Sequence, residues 1–300
     1  MISRSRAPLA AVLLFVAAPM AAQANYDTVK VQTIPAGPGV YMLLGAGGNI
    51  GLSVGDDFAF LVDDQYAPLS QKILAAVRAV TSKPIRFLVN THWHGDHSGG
   101  NENMNSAGVI IVAHDNVRTR MSSEQFIAAF NSKVDPSPKG ALPVVTFSQS
   151  VAFHSGGETI HVVHVPPAHT DGDALVHFVR GNTIHMGDNF FNGRYPFVDL
   201  SSGGSFEGMI NAVNAAMPYV NDSTKVIPGH GPLAGKSELV AYRDVLTKIR
   251  DRVAALIKAG KTKEQVIAAT PSAEWDATWG TGFMNPGAFL GIVYDSMKKR

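Results

Sequence analysis

The chain has 300 residues, a formal net charge of +1 and no cysteine. There is no basic excess to neutralise a phosphate backbone, which argues against a nucleic-acid partner, and no disulfide can staple the fold. Stability has to come from a buried core, and a chain that is 45% hydrophobic can supply one.

Arg4 and Arg6 precede an apolar run from Ala7 to Ala18, and Ala22-Gln23-Ala24 then offers a small-residue cleavage pattern. Residues 1–24 read as a secretory signal peptide, leaving 25–300 as a single mature domain that is periplasmic or secreted. The apolar run is shorter than the ~20 residues of a spanning helix, and no later run reaches that length. No membrane contact is therefore expected after cleavage. Removing residues 1–24 takes away two arginines and no acid, so 25 basic residues against 24 acidic become 23 against 24, a net charge of −1.

Four short apolar or alternating runs come next: Val29–Ile34, Val40–Gly45, Asn49–Gly55 and Phe58–Asp64. Gly, Pro and Asp separate them, which predicts strands joined by tight turns. Gly45–Gly48 reads as a flexible hairpin turn, because its spacing does not open a helix as a phosphate loop would. Ala67–Thr81 has apolar residues at helical spacing and stops before Pro84. Ile85–Asn90 and Val109–Ala113 read as buried strands and Asp115–Met121 as a helix. Pro136, Pro138 and Pro143 mark an irregular loop. Strands are then expected at Thr159–Val165, Ala174–Val179, Thr183–Gly187 and Lys225–Gly231, and a helix at Phe206–Ala216. Further helices at Ser237–Ala259, Lys263–Ala269 and Pro286–Met297 form a C-terminal extension over about 237–299. Two runs of strands with helices outside predict an α/β sandwich.

The strand at Ile85–Asn90 runs straight into Thr91-His92-Trp93-His94-Gly95-Asp96-His97-Ser98-Gly99-Gly100, which holds three of the 11 histidines. Extended backbone projects His92 and His94 to the same side, where they can share one ion. Past the turn at Gly95, Asp96 and His97 can face a neighbouring ion. A tetrahedral zinc with one open position needs a further protein ligand. His169, Asp188 and His230 each sit at the end of a predicted strand and supply the candidates. His161, His164, His177 and His185 lie inside strands, His114 closes one and His154 sits near a glycine turn; these six read as core or surface residues. Arg194, soon after Asp188, is the best candidate cation for a substrate carboxylate.

The motif Thr91–Gly100, with Ala168-His169-Thr170-Asp171-Gly172-Asp173, Gly187-Asp188 and Gly229-His230 in that order, resembles the metallo-β-lactamase superfamily across Thr28 to Pro232. The resemblance implies a four-layer αβ/βα sandwich with metals in a groove at one edge. It implies that His92, His94 and His169 hold a first zinc, that Asp96, His97 and His230 hold a second, and that Asp188 bridges the two. Asp63 corresponds to the family's acidic residue at the end of an early strand and would hold a ligand or loop amide from behind. The expected activity is a zinc-dependent hydrolysis in which a metal-bridging hydroxide, oriented by Asp96, opens a small-molecule cyclic amide of the β-lactam type. A lactonase or glyoxalase II-like thioester hydrolase is the alternative, because a bridging aspartate without any cysteine also resembles those members. Phosphodiester hydrolysis and a non-catalytic metal-binding role complete the set. Oligomeric state is not legible.

Overall fold

The computed structural model describes residues 25–298; the expected signal peptide, 1–24, lies outside the described residues. A seven-stranded sheet is ordered β1 (Gln32–Gly37), β2 (Val40–Leu44), β3 (Ile50–Val54), β4 (Ala59–Val62), β5 (Ile85–Val89), β6 (Ile110–His114) and β9 (Val145–Phe147). Between β6 and β9 a separate two-stranded ribbon is formed by β7 (Gln125–Ile127) and β8 (Ser132–Val134). A five-stranded sheet runs β10 (Ser150–Ser155), β11 (Glu158–His164), β12 (Ala174–Phe178), β13 (Thr183–His185) and β14 (Lys225–Ile227).

Alternation along the strands explains why the two sheets stack. Met42, Phe60, Val62, Val89 and Val112 point one way and meet Ile160, Val162, Val176, Phe178 and Ile227 in a core between the sheets. Their neighbours Leu43, Leu52, Leu61 and Leu88 point the other way, onto Ile73 and Val77 of α1 (Ser70–Val80). On the far face of the second sheet, Leu175 and Ile184 pack beneath α5 (Phe206–Ala216) and the 23-residue α6 (Lys236–Lys258). The core stripe of α6, Leu239, Tyr242, Leu246, Ile249 and Val253, keeps three- and four-residue spacing. Helix, sheet, sheet and helix give the expected αβ/βα sandwich, and α7 (Lys263–Ala268), α8 (Ala273–Trp279) and α9 (Pro286–Lys298) extend it. Among the described residues no helix is long and apolar enough to cross a membrane.

Several boundaries differ from the sequence pattern. Val29 and Val31 only flank the outer core, and β1 instead includes Pro35, which an edge strand with a register shift between Pro35 and Gly37 tolerates. The proline-rich segment is irregular only in part, since β7, β8 and β9 lie around it. β10 is hidden in the sequence because it too is an edge strand, with only every second residue partly covered. Lys225–Gly231 is strand only to Ile227, after which the chain turns into the site. Two short helices, α2 (Gly95–Ser98) and α3 (Asn101–Ser106), fall within and just after the histidine motif, and α4 (Asp115–Met121) comes after β6.

Because β4, β5 and β6 are mutually parallel, as are β13 and β14, their C-terminal ends share one edge of the sandwich. β11 is antiparallel to β12, which is antiparallel to β13, so β11 ends there too. At the opposite end, the buried carboxylate of Glu158 accepts from the backbone N–H groups of Thr159, Arg180 and Gly181 at 2.8–2.9 Å. Glu158→Ala would strand these donors, and each buried unsatisfied group costs about 1–3 kcal/mol. The variant is expected to lose roughly 2–4 kcal/mol in chemical denaturation, with the groove at the other edge unaffected.

Candidate metal centre

The strand ends at this edge deliver Asp63 after β4, His92 and His94 after β5, His169 after β11, Asp188 after β13 and His230 after β14. Asp96 and His97 ride on α2. All seven expected ligands converge. Ligand atoms of His92, His94 and His169 lie within 4.8 Å of one another, as do those of His92, His97 and Asp188 and those of Asp96, His97 and His230.

Hydrogen bonds on the outer side fix how each ring faces inward. His94 Nε2 lies 3.0 Å from Asp199 Oδ2, and His169 Nδ1 lies 2.8 Å from the carbonyl oxygen of Phe197. Both partners accept, so both rings carry their proton there. In the neutral rings the facing atoms, His94 Nδ1 and His169 Nε2, are bare lone pairs only 2.9 Å apart. His97 donates through Nδ1 to Asp63 Oδ2 at 2.7 Å, which turns its Nε2 toward Asp188. Thr91 Oγ1 donates to Asp63 Oδ2, so it accepts from His92 Nδ1 at 3.1 Å; His92 Nε2 is buried with no hydrogen-bond partner. Asp63 also accepts from the Thr91 N–H at 2.7 Å, so one carboxylate holds both the start of the motif and His97.

Asp188 stands between the groups. Its Oδ1 is 3.0 Å from His97 Nε2, and its Oδ2 is 3.3 Å from His230 Nε2 and 3.5 Å from His169 Nε2. Oδ1 nonetheless has no hydrogen-bond partner. Asp96 Oδ2 is 3.2 Å from His230 Nε2 and 3.7 Å from His97 Nε2, with its side chain 23% exposed to the groove. Lone pairs and carboxylates aimed at common points suit metal cations.

Electrostatics point the same way. Burial pushes the His169 ring down to about 4, and burial with the neighbouring His97 and His169 pushes His92 down as well. Burial also opposes charge on His230 and His97, yet the Asp188 carboxylate, with Asp96, overcomes it, lifting His230 to about 9 and His97 well above its usual range. The two aspartates thus draw positive charge into a buried pocket.

Three contributors are not singled out by the sequence pattern. Asp199 caps a short turn through the N–H groups of Ser201 and Ser202 while holding His94, and the Asp-x-Ser-Ser cap pattern is its only signal. A Cβ on Gly48 would lie 2.1 Å from His97 Cε1, and one on Gly229 would lie 2.1 Å from Asp188 Oδ1. Gly48 is also held by a hydrogen bond from its N–H to the Asp96 carbonyl, and its own carbonyl accepts from Gln65 Nε2. The glycine turn expected to be flexible is therefore pinned to the floor of the site. Arg194 lines the groove over the cluster, with Tyr66, Trp93, Phe191, Phe197 and Phe283. Of the aromatic residues near Arg194, Phe191 stacks on His230, whereas Tyr195 faces the C-terminal helices and donates to Asp276 at 2.6 Å. The six other histidines stay outside the cluster; His114 and His164, for instance, stack on each other at 3.8 Å.

Gly48→Ala should displace the His97 ring, and Asp199→Ala should release His94. The expected outcome is reduced metal retention in both, by about 10–100-fold in affinity for Asp199→Ala, measured by competition with a chromogenic chelator. Unchanged retention in both would remove these supports from the site.

Comparison with known proteins agrees with this geometry. The metallo-β-lactamase superfamily model matches residues 45–254. A linear primary-alkylsulfatase from Pseudomonas sp. (strain ATCC 19151) is 25% identical over 239 residues, covering 66% of this chain and 45% of that protein. A hydroxyacylglutathione hydrolase from Pelagibacter ubique (strain HTCC1062) is 20% identical over 190 residues, covering 58% of this chain and 66% of that protein. The chain therefore spans between about half and two thirds of the length of these curated relatives. Among solved structures, a metallo-beta-lactamase from Pontibacter korlensis superposes with a TM-score of 0.57 at 21% identity, over 73% of this chain and 99% of that one. A profile match over most of the chain, on the fold that carries the histidine–aspartate cluster, places this protein in the metallo-β-lactamase superfamily.

Proposed function

We propose that the chain binds two zinc ions and hydrolyses an activated acyl bond of a small molecule. The carrying observation is Asp188, whose two oxygens reach histidines of both trios, so that one carboxylate can serve two ions. His92 Nε2, His94 Nδ1 and His169 Nε2 would hold the first, and Asp96, His97 Nε2 and His230 Nε2 the second. A nitrogen-rich set suits zinc. Two such ions supply a water acidified towards neutrality and a Lewis acid for the acyl oxygen.

The chain's own residues do the rest. Asp96 is the carboxylate of the cluster most open to the groove, so it can orient the attacking water and pass a proton to the leaving group. Asp63 and Asp199 keep His97 and His94 in the correct tautomer. Arg194 makes no hydrogen bond or ion pair among the described residues and faces the groove, so it can take a substrate carboxylate.

Two substrate readings each have an observation in favour. The free Arg194 beside the centre favours a carboxylate-bearing β-lactam. The bridging carboxylate, in a chain without cysteine, favours a lactone or thioester, and the relative named as a hydroxyacylglutathione hydrolase supports that side. The N-terminal pattern of Arg4, Arg6 and the apolar run supports a periplasmic or secreted setting.

Elemental analysis of the purified protein should give close to two zinc ions per chain, and Asp188→Ala should lower both metal content and turnover. A chromogenic cephalosporin, a lactone and a thioester assayed side by side choose between the readings; no turnover of any of them by zinc-loaded protein would overturn the proposal. Asp96→Asn should retain metal and lose on the order of 10²-fold in turnover. Near-normal turnover in that variant would take Asp96 out of the chemistry.

A further inference from the structure

The groove over the cluster encloses about 740 Å³, within the range of drug-sized ligand sites. Its outer wall is unusually apolar. Phe130, Phe197 and Phe283 contact one another with ring centroids 4.8, 5.3 and 6.4 Å apart. Phe197 is buried, but Phe130 is 44% exposed and Phe283 is 71% exposed. Leaving two large aromatic rings this open has a hydrophobic cost, so their position at the rim calls for an apolar occupant.

The ribbon β7–β8 is built to present such a wall. Along it, Phe126 and Lys133 face outward, with Lys133 paired to Glu124, while Ile127, Ser132 and Val134 alternate onto the groove. The turn of the ribbon carries Phe130 to the rim, where Phe283 arrives from the loop after α8. Among the described residues Arg194 is the only lysine or arginine lining this groove, and its Cβ lies close to Gly282, next to Phe283. The groove that holds the cluster thus carries one unpaired guanidinium alongside an apolar strip that reaches the solvent.

We propose that this groove selects amphiphilic acyl substrates, with the anionic group on Arg194 and an apolar chain along Phe197, Phe130 and Phe283. The placement of the scissile bond over the cluster rests on the proposed acyl hydrolysis; the chain-binding wall does not. A short hydrophilic acyl compound leaves both rim rings in water, whereas a longer alkyl chain lying along the strip covers them. Since the groove is open on one side, each added methylene should gain about twofold in affinity, half of what complete burial gives.

The experiment is calorimetric titration of the metal-bearing protein with hexanoate, octanoate, decanoate and dodecanoate below their micellar range. Affinity should rise by roughly 60-fold from hexanoate to dodecanoate, by that same twofold step. Phe283→Ser and Phe130→Ser should flatten the chain-length slope while leaving metal content unchanged. Arg194→Gln should weaken all four ligands alike and keep the slope. A flat profile in the parent protein, or a slope untouched by both phenylalanine variants, overturns the proposal. So does an unaltered slope accompanied by a monomer–dimer shift in Phe283→Ser, which would assign the rim to a second copy of the chain. Binding is read without turnover, so the two readings fail separately. Dodecanoate binding without hydrolysis of any acyl substrate sinks the hydrolase reading alone, and hydrolysis of short substrates with a flat profile sinks this one alone.

Discussion

The structure turns on a contact that neutral side chains cannot satisfy: imidazole lone pairs held facing one another inside the protein. His94 Nδ1 and His169 Nε2 meet at 2.9 Å, and each ring has its N–H committed outward to an acceptor. Only a proton or a cation makes such a contact attractive, and burial pushes His169 down to about 4. Asp188 and Asp96 add negative charge to the same pocket, where the low dielectric magnifies it. What the sandwich must supply is rigidity sufficient to hold this arrangement against its own repulsion.

It does so by stitching the two sheets together at the edge where the ligands emerge. Asn49, at the head of β3, donates its backbone N–H to the Gly229 carbonyl and its side-chain amide to the carbonyls of Pro228 and Gly231. Its own carbonyl lies 2.9 Å from His185 Nε2, at the end of β13. One residue of the first sheet thereby positions the loops that bring Asp188 and His230 from the second. Gly48 and Gly229, on either side of this stitch, leave out the carbon atoms that would collide with His97 and Asp188. Close approach of backbone to ligand is what allows seven side chains from four strand ends and a short helix to share so small a volume.

Much of this is legible in the sequence, for a physical reason. A metal cluster requires specific side chains at strand ends, so His92, His94, Asp96, His97, His169, Asp188 and His230 announce themselves by residue type and place. A buried strand such as β4 likewise shows as a continuous apolar run. Asp199 is silent because an aspartate followed by serines is ordinarily just a cap, and its second job depends on a partner 105 positions away. β10 and the ribbon β7–β8 are silent because edge and exposed strands need no strong apolar pattern.

The silent ribbon is also a part that walls the groove. The floor of the groove comes from β4, β5, β13 and β14, whose register is fixed by pairing within the sheets and by packing in the shared core. Its outer wall comes largely from a two-stranded ribbon and a loop after α8, which join no large sheet and leave Phe130 and Phe283 exposed. Substitutions in the wall disturb few core contacts, so its residues are free to track whatever occupies the groove; substitutions in the floor disturb the ligands and the core together. The ligand cluster is therefore constrained by the sandwich, while the groove wall is built from segments such as 127–134 and 280–284, where pattern is weakest and three-dimensional placement decides.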